Sequence, residues 1–193
     1  MKYNPKIHHR RSIRLKGYDY SQAGAYFITI CCQKRIWRFG VVENGEMKLN
    51  EYGQIAYDEW RKLPERFPNV ELDVFQIMPN HMHGIIILND MGARFTPAQN
   101  ENAQNENDLG QPQDLGQPQG IARTAVGDIV GAYKSLVVNK CLEIYKSKNE
   151  IMGKLWQRNY WEHIIHNEQR YQRIANYIVK NPENWKEDKF FGK

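Results

Sequence analysis

Four consecutive aliphatic residues, Ile85 to Leu88, follow directly on the segment His81-Met82-His83-Gly84, and this stretch constrains the fold more than any other. A run of that length is apolar on both faces of any strand that contains it, so HMHGIIIL is expected inside a sheet, covered on both sides. Residues two apart on a strand share a face, with Cα atoms about 6.5 to 7 Å apart. His81 and His83 therefore point together, and a polar pair buried there needs a partner. A metal ion is one such partner, since neutral imidazole ligates metals readily. A hydrogen-bonded pair with no metal satisfies the spacing equally well.

The neighbouring sequence supplies the rest of the sheet. AYFITICCQ (residues 25–33) is rich in β-branched and aromatic residues and reads as a strand, and Asn44-Gly45 at the centre of VVENGEMKLN marks a hairpin. Ile55, Trp60 and Leu63 fall near helical spacing, in a helix that Pro64 or Pro68 helps to end. VELDVFQIMP then forms a strand joined to HMHGIIIL at Pro79-Asn80. Apolar residues at 129, 130, 133, 136, 137, 141 and 144 make a helical stripe, LWQRNYWEHIIH reads as a further strand, and NEQRYQRIANYIVKN as a helix capped by Asn167 and stopped by Pro182. The order strand, helix, two strands, helix, strand predicts an α+β, ferredoxin-like (RRM-like) antiparallel sheet with helices on one face and an added C-terminal helix.

At 193 residues the chain has the length of one domain, here 1–193, with a basic N-terminal arm at 1–20. Residues 98–119 consist of AQNEN twice and DLGQPQ twice, a composition too polar to offset its ordering entropy, so a disordered low-complexity loop is expected at about 92–122. The formal charge is +5, and the stretch from Pro97 to Gly120 holds acidic residues and neither Lys nor Arg, so the remainder is more basic still. A basic surface suits a polyanion such as nucleic acid. Three cysteines, two of them adjacent, make neither a disulfide framework nor a zinc-knuckle pattern. With no apolar run near the roughly 18 residues needed to span a bilayer, a cytoplasmic protein without a membrane partner is expected.

A third ligand and a nucleophile would have to come from an element lying over the histidine face. Tyr177 and Asn181, four apart, share one helix face, but so do Tyr145 and Asn149, and Tyr133, Tyr160 and Tyr171 are further hydroxyl donors. Spacing does not choose among them.

"MPNHMHGIIIL", "LWQRNYWEHIIHNE" and "YIVKNPENW" resemble, in that order, the motifs of the single-tyrosine HUH transposases, in the branch of the REP-associated tyrosine transposases. The resemblance covers nearly the whole chain outside the duplicated loop. It implies a single-strand DNA endonuclease and strand transferase that cleaves and rejoins DNA through a 5′-phosphotyrosine intermediate. Tyr177 is then the nucleophile, and His81, His83 and, as a polar third ligand, Asn181 hold a divalent metal, Mg²⁺ or Mn²⁺. His163 matches a recurrent family histidine with a supporting role, and the implied substrate is a single-stranded or hairpin DNA.

Arg10, Arg11, Arg14 and Lys16 in the basic head, with Arg158, are candidate DNA contacts, and Trp156, Tyr160 and Trp161 candidate stacking surfaces for unpaired bases. A homodimer is compatible with a helix-borne tyrosine that completes either its own site or a partner's. Two rival classes keep the scaffold: a non-catalytic nucleic-acid-binding protein with structural histidines, and a zinc hydrolase that draws further ligands from residues such as Glu71 and Asp73.

Overall fold

The computed structural model describes residues 18–90 and 124–191. The basic head with Arg10, Arg11, Arg14 and Lys16, and the duplicated loop, lie outside the described residues.

Strand β1 (Gly24–Cys31) runs down the middle of the molecule because its alternate residues are large and apolar. A hairpin follows, β2 (Gly40–Glu43) and β3 (Glu46–Leu49), closed by Asn44 and Gly45 at φ 53° and 77°. Positive φ at both central positions gives the turn whose twist matches the flanking strands. Helix α1 (Glu51–Arg61) starts at Asn50, whose side chain accepts from the Gly53 N–H, and a short second helix, α2 (Leu63–Arg66), carries Pro64 in its first turn. Strands β4 (Val70–Met78) and β5 (His81–Leu88), helix α3 (Val126–Ser147), strand β6 (Trp161–Ile165) and helix α4 (Glu168–Val179) complete the order.

The main sheet has the order β4-β5-β1-β6, antiparallel throughout, which is the expected ferredoxin-like arrangement with the hairpin as a separate two-stranded sheet. β5 occupies an interior position, and every residue from His81 to Ile86 is buried. On one face Tyr26, Ile28, Ile30, Met82 and Ile86 pack against Ala56 and Trp60 of α1 and Ile129, Tyr133 and Val137 of α3. Gly84 lies under Trp60, where a Cβ would come within 2.6 Å of the indole ring. The glycine after the second histidine is thus required by core packing. On the other face Ala25, Ile85 and Ile87 meet Tyr171, Ile174 and Ile178 of α4. Period-two alternation therefore divides β5 between two layers: Met82 and Ile86 in the main core, His81 and His83 toward the C-terminal helix.

Two boundaries differ from the sequence expectation. Only Trp161–Ile165 forms a strand, because Trp156 is already buried and makes an isolated bridge to Cys32, with its indole N–H donated to the Lys134 carbonyl. Helix α4 ends at Val179, and the Asn181 N–H bonds to Ile178 in a tightened turn. Pro182 has no N–H to continue the ladder, so the coil tightens before it.

Candidate active site

His81 and His83 place their Nε2 atoms 3.1 Å apart, both side chains being almost wholly buried. The outer nitrogens are held from behind. Asn80 donates its Nδ2 to the carbonyls of Arg35 and Phe190, at 3.2 and 2.9 Å, so its Oδ1 is the atom 2.8 Å from His81 Nδ1. Carbonyls only accept, which fixes the amide; an accepting Oδ1 in turn requires a proton on Nδ1. Nε2 of His81 is therefore a bare lone pair directed at the site. His83 Nδ1 lies 2.7 Å from Thr29 Oγ1, a hydroxyl that serves either tautomer, placed by the register in which Thr29 faces His83 across β1 and β5. Burial pushes His81 down to about 3 and His83 well below the ordinary imidazole value, with His81 as a second cause at His83. Both rings are neutral at physiological pH.

Helix α4 brings the tyrosine. It is capped by Asn167, whose side chain accepts from the Arg170 N–H, and Ile174 and Ile178 anchor it on the sheet. Tyr177 then projects its hydroxyl to within 3.1 Å of His83 Nε2 in the same chain, while 39% of the residue stays exposed. The same hydroxyl donates to Asp188 Oδ2 at 3.1 Å, and Asn181 Nδ2 donates to that oxygen at 2.8 Å. Burial first, and the Asp188 carboxylate second, raise the phenol above its ordinary value, with the Asn181 hydrogen bond opposing them.

The other tyrosines are occupied elsewhere. Tyr133 is fully buried and donates to the Ala56 carbonyl; Tyr145 accepts from Arg38 and stacks on Tyr52; Tyr171 bonds to Asp73; Tyr160 packs against the main core. Among the described residues, Tyr177 is the tyrosine whose hydroxyl reaches the histidines.

His163 stands across from Phe27 on the same sheet face but is exposed, and among the described residues no hydrogen bond joins it to the cluster. Arg158 is exposed in the segment before β6, Trp156 is buried, and Trp161 is 45% exposed on the edge strand. Asp188 was not anticipated from the sequence. It sits in a short turn after α4, and one of two adjacent acids in the stretch WKEDKFFGK carries no periodicity that would aim it at residues more than a hundred positions away.

The donor set fits a divalent metal. Ligand atoms of His81, His83 and Asp188 all lie within 4.8 Å of one another. Asn181 is only 2% exposed, and its Oδ1 is buried with no hydrogen-bond partner among the described residues. Two imidazoles and a carboxylate, with the orphaned amide oxygen of Asn181 on the residue that bonds to that carboxylate, make a mixed nitrogen and oxygen donor set of the kind that divalent metals accept. Beside it, an open cleft of about 380 Å³ is lined by Arg173, Asn176, Tyr177, Lys180, Asn181 and Asn184, with Glu187 and Asp188.

Similarity to known proteins follows the same lines. No protein-family model matches the chain. An uncharacterized protein of Haemophilus influenzae is 41% identical over 192 residues, covering 98% of this chain and 97% of its own. Among solved structures, a REP-associated tyrosine transposase bound to a REP hairpin superposes with a TM-score of 0.54 at 18% identity, covering 89% of this chain and 74% of its own. The expected resemblance is thus borne out in the fold. A Deinococcus radiodurans structure, 17% identical and covering 86% of this chain and 95% of its own, aligns at a TM-score of 0.44, too loosely to carry any argument. Among the described residues no helix is long and apolar enough to cross a membrane.

Proposed function

We propose that this chain, which belongs to one family with the Haemophilus influenzae protein and carries the fold of the REP-associated tyrosine transposases, is a transposase-type DNA strand transferase with Tyr177 as its nucleophile. The observation that carries the reading is the position of the Tyr177 hydroxyl, 3.1 Å from one of two mutually facing imidazole nitrogens, at the mouth of an open cleft. The REP hairpin held by the solved neighbour supports a single-stranded or stem-loop DNA as substrate.

His81, His83 and Asn181 would hold the divalent metal, with Asp188 within reach of the same point. Such an ion supplies a Lewis acid that withdraws charge from a phosphate oxygen. The chain does the rest. Asn80 and Thr29 keep the imidazoles oriented from behind, and α4 holds the phenol rigidly for in-line attack. As the bond from Tyr177 Oη to phosphorus forms, the phenolic proton passes to solvent and the bond from phosphorus to the 3′-oxygen breaks, that oxygen taking a proton from solvent in return. The phosphotyrosine conserves the bond energy, so another 3′-hydroxyl can reverse the step and join strands without ATP.

An ordinary tyrosine is about one part in a thousand phenolate at pH 7, and Tyr177 starts from a still higher pKa. Activity is therefore expected to depend on added divalent metal. Labelled stem-loop DNA run on a denaturing gel tests this. Wild type should form a covalent adduct with Mn²⁺ and none in EDTA, and Tyr177→Phe should bind the DNA without forming one. An adduct with Tyr177→Phe, or full activity in EDTA, would contradict the assignment. Salt-sensitive binding without any adduct would favour a non-catalytic DNA-binding protein.

A further inference from the structure

On the exposed side of α4, Arg173 lies four residues before Tyr177 and Lys180 three after it, and all three line the open cleft of about 380 Å³. With a rise of 1.5 Å per residue, the two cations stand about 6 Å and about 4.5 Å from the tyrosine along the helix, one on each side. Lys180 keeps helical backbone angles as the C-cap, so the spacing holds to the helix end. Among the described residues neither cation is held by a carboxylate, whereas Lys48, Arg66, Lys140 and Lys148 all are. Glu187 and Asp188 line the same cleft. Their charge repels a polyanion and favours its approach along the side formed by α4.

We infer that Arg173 and Lys180 grip the DNA phosphates flanking the one that Tyr177 attacks, making the exposed face of α4 the track for a single strand; the inference rests on the strand-transferase reading above. Successive phosphates of a stacked strand advance about 3.4 Å along its axis, and stand farther apart through space and when the strand is stretched. The span of about 10 Å between the two cations therefore brackets the scissile phosphate with a neighbour on either side. Neither residue touches the reacting atoms. Both act through affinity, holding the strand by its phosphates in the cleft beside the phenol.

The test is the salt dependence of binding to a fluorescent single-stranded stem-loop DNA, measured on the full chain carrying Tyr177→Phe so that no turnover intervenes. Arg173→Ala and Lys180→Ala should each lower the steepness of log K against log salt by about 0.7 and weaken binding roughly fivefold at low salt. Arg173→Lys should restore the slope. Lys146→Ala, which removes an exposed charge from α3 on the opposite layer, should leave the slope unchanged. With Tyr177 intact, the alanine variants should lose adduct yield at limiting DNA and recover it at saturation. Slopes equal to wild type, an equal drop in Lys146→Ala, or a loss of adduct that saturation does not restore would overturn the inference. If the unmutated chain binds with the expected slope yet never forms an adduct, the strand-transferase reading fails while the grip stands.

Discussion

His81 owes its tautomer to Asn80, and Asn80 owes its orientation to two carbonyls, one of them on Phe190 of the C-terminal segment. The chain thus builds a lone pair facing the site from contacts more than a hundred residues apart. A folding consequence follows for the metal-free protein. Burial holds His81 down to about 3 and His83 well below the ordinary value, while unfolded imidazoles protonate near 6.5. Between those values the unfolded state binds more protons, so the stability is present above pH 6.5 and is lost as pH falls. Each buried imidazole contributes a slope of about 1.4 kcal/mol per pH unit. Urea unfolding in EDTA at pH 7.5, 6 and 5 should show this loss, and a His81→Gln/His83→Gln double variant should show much less of it. Equal pH profiles would contradict the buried neutral pair. At this scale the histidines were legible because two-residue spacing fixes a shared face. Spacing did not choose the tyrosine, since Tyr145 with Asn149 shows the same spacing and only the motif resemblance pointed to Tyr177; the assembled layers reveal that the Tyr145 hydroxyl belongs to Arg38.

Strand β5 is the element that the sequence specifies most tightly. Four aliphatics apolar on both faces demanded an interior position, which it has. Gly84 adds a constraint that periodicity could not show, because the demand comes from Trp60 on another element. A Cβ there would overlap a fully buried indole, and overpacking of this kind costs about 1 to 3 kcal/mol. Gly84→Ala should lower the urea midpoint with an unchanged m-value. A midpoint equal to wild type would mean that Trp60 yields freely. β6 and the end of α4 were misread for local reasons: Trp156 and Tyr160 look strand-like but serve the core, and Pro182 tightens the turn ahead of it instead of leaving the helix intact up to Asn181. Asp188 rides on a turn with no repeating pattern, and so was invisible until the fold was assembled.

Across the whole molecule the sheet separates two tasks, with α1 and α3 closing the main core on one side and α4 with the following turn closing the site on the other. The histidines belong to the sheet, while Tyr177, Asn181 and Asp188 belong to the C-terminal part, so an ion held among them ties the two layers together. Binding to the folded state alone stabilises by about 2.7 kcal/mol at a hundredfold excess over Kd. Mn²⁺ should therefore raise the melting temperature of wild type by several degrees and leave that of the His81→Ala/His83→Ala variant unmoved; an equal rise in both would place the ion elsewhere. The most direct measurement is to map the covalent bond itself. Wild type is incubated with single-stranded stem-loop DNA and Mn²⁺, then digested with nuclease and trypsin, and the peptides are read by mass spectrometry. A nucleotide remnant on Tyr177, within the tryptic peptide spanning residues 174–180, is the predicted result. A remnant on Tyr171 or another tyrosine, or cleaved DNA with no modified peptide at all, would contradict it.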